Sequence, residues 1–209
     1  MKKNLFVFAH YDDEAFSAGT IRKMVANGEE VHILIICGNG FTLDDDRHTI
    51  FLKNCDLLGA TNYTLKYFDL TLKDLDSEIT QDIKSVITKL ISNLNITNVY
   101  TNNGGDLHDD HKIVSLWLHT VCRPSISKVQ SLSECYIPGA NEYGSGIHDF
   151  TTVVDITDFN DIKNQCLLNY GTHLKGASSQ DAAIKHSQYI GSIYNMQFAE
   201  TFKTIWQKK

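Results

Sequence analysis

The sequence predicts an α/β protein with a Rossmann-like three-layer sandwich, in which helices cover both faces of a mostly parallel sheet and additional strands and helices lie towards the C-terminus. Short apolar segments alternate with helical patterns over the first 120 residues. The strongest strand pattern, VHILIIC at residues 31–37, is almost wholly apolar, as expected of a parallel strand covered on both faces. The length of 209 residues and the lack of a linker or repeat predict a single domain over residues 1–209.

The elements follow from local patterns. Strands are predicted at residues 4–9, 31–37, 62–68 and 97–101. Helices are predicted at residues 15–27, 46–58, 77–94 and 111–122. The helix at 77–94 is the clearest, because its apolar residues recur at spacings of three and four. The later patterns predict strands near 129–136 and 151–156, a helix near 158–170 and a helical tail after Ser179.

Right-handed crossovers between parallel strands predict the strand order 3-2-1-4. In that order strands one and four are neighbours, so the loops that follow residues 9 and 101 should face each other at the carboxyl edge of the sheet. The first of these loops has no GxGxxG pattern, which disfavours a nucleotide cofactor.

Composition excludes several classes of protein. The net charge of −6 and the absence of a basic run argue against nucleic acid as a partner. No apolar stretch is long enough to span a membrane, and the apolar run at residues 5–9 is too short for a signal peptide. Five cysteines without CxxC spacing predict reduced, buried thiols and a cytoplasmic protein.

The two facing loops are rich in metal-binding side chains. The first is AHYDDE at residues 9–14, and the second is DLHDDH at residues 106–111. His10, Asp13 and His111 are the predicted metal ligands, because a catalytic zinc takes three His or carboxylate ligands and keeps one position for water. A zinc ion there lowers the pKa of its water to about 7 and polarises a bound carbonyl.

The remaining side chains of these loops suit acid–base roles. Asp12 is the candidate general base for the water. His108 is the candidate that stabilises the oxyanion or protonates the leaving amine, with Asp110 as the residue that orients it. The acidic residues of both loops have an alternative role, which is to cap the helices that follow.

The pair AHYDDE and HDDH resembles the AHPDDE and HxDH motifs of the PIG-L/LmbE-like family of zinc-dependent N-deacetylases. The segment FAETF at residues 198–202 is similar to the family's C-terminal segment, so the resemblance spans nearly the whole chain. The resemblance implies a Rossmann-like fold and the same roles for the matching positions. It also implies hydrolytic removal of an N-acyl group, foremost N-acetyl, from an amino sugar or a sugar-bearing small molecule by attack of a zinc-bound water.

The sequence departs from the family pattern at two places. Tyr11 replaces the usual Pro, which frees φ and adds a hydroxyl near the site. On the second helix Arg47 is followed three residues later by Ile50 rather than the usual Glu. Arg47, Asn103 and Tyr11 are the candidate substrate-binding residues. Gly38–Gly40 and the glycine-rich residues 136–148 are further candidates for a substrate-facing loop and a lid.

Alternatives remain open at this point. Fe²⁺ or Co²⁺ suits the same ligand types as Zn²⁺. A receiver-like signalling domain that binds Mg²⁺ would also place paired acids after strand one, with Asp69 after strand three. A catalytically silent family member that binds a sugar is a third interpretation, and the sequence leaves a homo-oligomer open.

Overall fold

The computed structural model describes residues 1–36, 46–65, 72, 76–139 and 150–208. Its strands are β1 (Lys3–Phe8), β2 (Glu30–Ile35), β3 (Thr61–Thr64), β4 (Asn98–Asn102), β5 (Ser131–Cys135), β6 (Thr152–Asp155) and β7 (Ala199–Gln207). Its α-helices are α1 (Ala18–Ala26), α2 (Arg47–Leu58), α3 (Ser77–Leu94), α4 (Asp109–Val121), α5 (Asn160–Tyr170) and α6 (Gln180–Ile193). Short 3₁₀ turns lie at Asp13–Ser17, Thr157–Phe159, Gly171–His173 and Gly176–Ser178.

The strands form one seven-stranded sheet in the order β3-β2-β1-β4-β5-β7-β6. The predicted order 3-2-1-4 is confirmed, with parallel pairing from β3 through β5. β7 pairs antiparallel with both of its neighbours, so the sheet is mixed only at this end. The α/β three-layer prediction is therefore confirmed.

Alternation along β1 divides the core into two layers. On one face Phe6 and Phe8 belong to a buried cluster with residues of α1, α2 and α5, among them Phe51 and Leu167. On the other face Leu5 and Val7 pack in a second cluster with residues of α3 and α4. Both faces of the central strand are thus covered, which is why its sequence is a continuous apolar run.

The helix at 77–94 forms as predicted. Asp76 caps it by accepting a hydrogen bond from the Ile79 N–H at 2.8 Å, and Asn95 ends it in the left-handed conformation with φ 55°. Ile83, Ile87 and Ile91 are its buried face. No helix within the described ranges is long and apolar enough to cross a membrane.

Two expectations need correction. The predicted first helix is divided into the 3₁₀ turn Asp13–Ser17 and α1, because the turn carries the polar loop that follows β1. The predicted helical tail ends at Ile193, and the chain then enters β7. β7 lies between β5 and β6, and the buried charge of Glu200 interrupts the apolar pattern that would have marked it as a strand.

Candidate metal centre

The loops after β1 and β4 meet at the carboxyl edge of the sheet, as the strand order predicts. Asn102, the last residue of β4, joins them: its Oδ1 accepts from the Ala9 N–H at 2.9 Å, and its Nδ2 donates to Asp13 Oδ2 at 3.0 Å. The same carboxylate oxygen accepts from the His10 N–H at 3.0 Å. Asn102 is fully buried and was not selected from the sequence, since its role depends on the neighbouring strand.

Three metal-binding side chains converge in this loop pair. His111 Nε2 lies 3.3 Å from His10 Nδ1 and 3.4 Å from Asp13 Oδ1, and His10 Nδ1 lies 3.9 Å from Asp13 Oδ2. Ligands at zinc–ligand distances of about 2.0–2.2 Å lie about 3.3–3.6 Å apart around a tetrahedral ion. His10, Asp13 and His111 are only 6%, 2% and 4% exposed, respectively. Two of the three separations match this spacing and the third, 3.9 Å, is somewhat longer, so the donor set suits a small divalent transition metal.

A third imidazole lies beside these ligands. The rings of His10, His108 and His111 offer nitrogens within 4.8 Å of one another. His108 is exposed, however, and its Nδ1 accepts from the Asp110 N–H at 3.3 Å as the N-cap of α4. Since its neutral tautomer then carries the proton on Nε2, we assign His108 to the edge of the site rather than to the ligand set.

Each ligand imidazole is held from behind by a carboxylate. His111 Nδ1 donates to Asp106 Oδ2 at 2.6 Å, and His10 Nε2 donates to Asp110 Oδ2 at 3.0 Å. Such bonds fix the ring and leave the opposite nitrogen's lone pair free for a metal. Asp106 was not given a role from the sequence, although it lies five residues before His111, at the start of the second motif.

The position of Asp110 differs from the expectation. It was expected to orient His108, but its carboxylate contacts His10 and accepts from the Leu72 N–H at 3.1 Å. The reason is the start of α4: Asp110 lies in the first helical turn and is buried, whereas His108 precedes the helix and is exposed.

The electrostatics of the site favour a cation. Burial opposes ionisation of Asp13, but the neighbouring imidazoles of His111 and His10 hold the pKa of its carboxyl well below its usual range. Burial likewise opposes the charge on His111, yet the Asp13 and Asp106 carboxylates raise its pKa to about 10. Without a metal, the carboxylates thus retain a proton on the imidazole, and a divalent ion would displace it.

Asp12 lies next to the ligands in an unusual backbone conformation, with φ 98° and ψ −29°. Burial, with the nearby carboxylates of Asp13 and Glu14, raises the pKa of Asp12 well above its usual value. The pKa of His108 is lowered, because the surrounding groups partly desolvate its ring and because the imidazoles of His10 and His111 lie close to it.

A cleft of about 320 Å³ opens over this group. Asp12, His108 and the three ligand residues line it, and the other walls come from Phe16, Arg47, Ile137, His173, Leu174, Lys175 and Ser178. At its mouth His173 Nε2 lies 2.7 Å from Asp46 Oδ1. His173 and Lys175 were not selected from the sequence, because only the fold returns the end of α5 to the metal loops.

The candidate substrate residues separate into two groups. Arg47 lines the cleft. Tyr11 is 1% exposed and packs against the rings of Phe51 and His48, so the residue that replaces the usual Pro anchors the loop to α2. Asn103 is also buried, and its Oδ1 accepts from the Gly105 N–H at 2.7 Å, which shapes the loop.

Gly38–Gly40, Asp69 and most of the candidate lid at 136–148 lie outside the described residues.

A larger groove of about 620 Å³ lies at the opposite edge of the sheet, between α3 and the segment after α4. Its lining residues include none of the His and Asp residues of the metal loops. We therefore place the candidate site at the smaller cleft, where the titratable groups converge.

Fold and site together define an α/β protein with a candidate His₂Asp metal centre at the switch point of the parallel part of its sheet. The family model described as "PIG-L: GlcNAc-PI de-N-acetylase" matches residues 5–122, more than half of the chain. The chain belongs to this family, as the motif pair indicated, and this membership replaces the receiver-like interpretation.

Solved structures show the same fold. N,N'-diacetylchitobiose deacetylase from Pyrococcus horikoshii is 17% identical with a TM-score of 0.75, over 98% of this chain and 84% of that one. The 4-carboxy-2-hydroxymuconate hydratase GalB from Pseudomonas putida KT2440 is 16% identical with a TM-score of 0.80, over 100% and 98%. The zinc-inhibited form of teicoplanin deacetylase Orf2 is 11% identical with a TM-score of 0.77, over 100% and 99%. No curated protein sequence matches the chain.

Proposed function

We propose that this protein is a metal-dependent hydrolase that removes an N-acyl group, foremost N-acetyl, from an amino sugar or a sugar-bearing small molecule. The observation that carries the proposal is the convergence of His10 Nδ1, Asp13 and His111 Nε2 beside Asp12 in one cleft. Membership of the PIG-L family supports it, and deacetylases are among the proteins of similar fold.

His10, Asp13 and His111 would hold the ion, and Asp106 and Asp110 would keep the two imidazoles in the correct tautomer. A divalent ion supplies Lewis acidity at this position, because it polarises an amide carbonyl and acidifies a water. Zn²⁺ is the proposed metal, and Fe²⁺ and Co²⁺ suit the same donor set.

Asp12 acts as the general base that takes the proton of the attacking water. Its carboxyl lines the cleft beside the proposed ligands, which places a proton acceptor where the attacking water would lie. The proton it receives can then pass to the leaving amine, so that acetate and the free amine are the products.

His108 acts as a hydrogen-bond donor to the developing oxyanion. Its lowered pKa keeps the imidazole neutral at pH 7, and the Asp110 N–H occupies Nδ1, which leaves the Nε2–H as the donor. This arrangement favours oxyanion stabilisation over protonation of the amine, the two roles considered from the sequence.

The cleft suits a small substrate. Its volume of about 320 Å³ is near the lower end of the range for small-molecule sites. Arg47 and Lys175 offer hydrogen-bond donors for hydroxyl or carbonyl groups of a sugar, while Phe16 and Ile137 offer apolar contact. We further propose that the chain acts as a single domain in a reducing, cytoplasmic compartment, since the thiols of Cys55, Cys122, Cys135 and Cys166 are free and buried.

The proposal is tested by metal analysis followed by an activity screen. Wild-type protein purified without chelator should contain about one equivalent of zinc or iron, and His111→Ala should lose it. Metal-loaded wild type should release amine from methyl glycosides of N-acetylglucosamine or related N-acetylated sugars. Metal binding without amine release from any N-acylated sugar would favour the catalytically silent interpretation. Wild type that binds no transition metal after reconstitution would exclude the hydrolase.

A further inference from the structure

The backbone of Asp12 adopts a conformation that needs support from its surroundings. Its φ of 98° lies in the left-handed region, which favours glycine. Asp tolerates this region better than most residues but persists there only when neighbouring contacts hold it. Two hydrogen bonds involve its backbone: its carbonyl accepts from the Ala15 N–H at 3.0 Å, and its N–H donates to Glu14 Oε2 at 3.1 Å.

Glu14 joins this loop to two helices. Its side chain is fully buried, and its second oxygen, Oε1, accepts from Tyr170 OH at 2.6 Å and from Asn54 Nδ2 at 3.1 Å. A buried carboxyl is unfavourable unless it is well hydrogen-bonded, and three donors from the loop, α2 and α5 meet here. The carboxyl therefore fixes the Asp12 backbone to the layer of helices beneath it.

The two helices that hold Glu14, α2 and α5, are also hydrogen-bonded to each other. Asn169 Nδ2 donates to Asn54 Oδ1 at 2.8 Å, and Asn54 Nδ2 also donates to the Cys166 carbonyl at 3.2 Å. Tyr170 is the last residue of α5, and the chain continues from it directly into the cleft wall that contains Leu174 and Lys175. One hydrogen-bond network thus links α2 and the end of α5 to the backbone of the candidate base.

We propose that Glu14 and Tyr170 are positioning residues that hold the Asp12 backbone in its left-handed conformation and so set the general base for catalysis. The inference rests on the proposed function for the role of Asp12, but the backbone contact itself does not. Neither Glu14 nor Tyr170 is among the residues that line the cleft. Their effect on the reaction therefore passes through Asp12.

The alternative is that this network only stabilises the packing of α2 against α5. A purely packing role predicts lower stability of the whole fold with unchanged turnover in the folded protein. A positioning role predicts reduced turnover at temperatures where the variant is fully folded, with the metal still bound. The substitutions Tyr170→Phe and Glu14→Gln distinguish the two, because both keep the shape of the buried side chain.

The first experiment measures steady-state kinetics of the zinc-loaded protein with methyl 2-acetamido-2-deoxyglucoside as the probe. Tyr170→Phe and Glu14→Gln should lower kcat by about 10- to 100-fold while KM and the metal content stay nearly unchanged. Glu14→Gln keeps an acceptor for the Asp12 N–H and should retain more activity than Glu14→Ala. Tyr189→Phe, at a tyrosine that is 64% exposed on α6, is the matched control and should behave as wild type.

The second experiment needs no substrate. Amide hydrogen exchange of residues 10–16 should become faster in Tyr170→Phe and Glu14→Gln, whereas exchange in α3 should not change. If the two variants exchange faster only at residues 10–16 and wild type releases amine from no N-acylated sugar, the proposed function is refuted and the positioning of the Asp12 backbone stays supported. Unchanged exchange at residues 10–16, or faster exchange in all helices together with unchanged kcat, would overturn the inference.

Discussion

Asp106 Oδ2 lies 2.6 Å from Nδ1 of His111, five residues away on the loop that precedes α4. This contact turns the ring so that Nε2 faces His10 and Asp13. We therefore expect Asp106 to influence metal affinity, although its own carboxylate is not among the proposed ligands.

Removal of this carboxylate should weaken metal binding. Asp106→Ala leaves the His111 ring without its acceptor, and we expect an affinity for Zn²⁺ about 10- to 100-fold lower, measured by competition with a chromogenic chelator. Asp109→Ala is the matched control, because Asp109 is an exposed neighbour that pairs with Lys112 at 3.2 Å. Equal affinities of Asp106→Ala and wild type would show that the contact does not orient the ligand.

Neutralising Asp12 should separate metal binding from turnover. Asn tolerates the left-handed region, so Asp12→Asn removes the charge with little change to the backbone. The variant should keep its metal and lose about 10²- to 10⁴-fold in kcat, measured by amine release. Asp46→Asn, at the cleft mouth, is the control and its kcat should fall much less. Wild-type turnover in Asp12→Asn would assign the base to another group.

The buried ion pair between Lys163 and Glu200 should be important for stability. Lys163 Nζ lies 2.8 Å from Glu200 Oε1, and both residues are at most 5% exposed. Glu200 also accepts from the Gly19 and Thr20 N–H groups at the start of α1. Lys163→Met leaves this carboxylate unpaired and should lower the free energy of unfolding by about 3–5 kcal/mol in urea denaturation.

Two further variants control this measurement. The double variant Lys163→Met/Glu200→Gln removes the unpaired charge and should recover part of the loss. Lys185→Met breaks an exposed pair with Asp181 and should change stability by about 0–1 kcal/mol. If Lys163→Met were as stable as Lys185→Met, the Lys163–Glu200 ion pair would not contribute to the stability of the fold.

His186 should make stability depend on pH. It stacks on Tyr136 with ring centroids 4.5 Å apart, and burial, together with the charge of Lys163, lowers its pKa to about 4. The unfolded chain binds a proton near pH 6.5, so between about pH 6.5 and 4 the unfolded state holds more protons and the folded state loses stability as the pH falls.

The test compares wild type with His186→Phe, which keeps an aromatic ring and cannot be protonated. The difference in unfolding free energy between pH 8 and pH 5 should be smaller in the variant. Tyr189→Phe, at the exposed tyrosine of α6, is the control and should keep the pH dependence of wild type. If the unfolding free energies of His186→Phe and wild type depended on pH in the same way, the lowered pKa of His186 would be contradicted.

The sequence predicts elements best where the pattern is local. α3 is found at its predicted bounds, because apolar spacing, the Asp76 cap and the Asn95 stop all lie within one segment. β7 was expected to be helical, because the partners that make it an interior strand, β5 and β6, are distant in the chain and the buried Glu200 breaks its apolar run.

The sequence by itself determined the layered α/β order, the family and the candidate ligands His10, Asp13 and His111, since these depend on periodicity and on two short motifs. The tertiary structure decided which groups hold them. Asp110 contacts His10 across 100 positions of the chain, and Tyr170 contacts Glu14 across 156. The tertiary structure also decided that Tyr11 is packed against Phe51 beneath the site and that the segment after α5 lines the cleft. Hydrogen bonds of this kind depend on how β1, α2, α4 and α5 are brought together in space, and no local pattern in the chain encodes them.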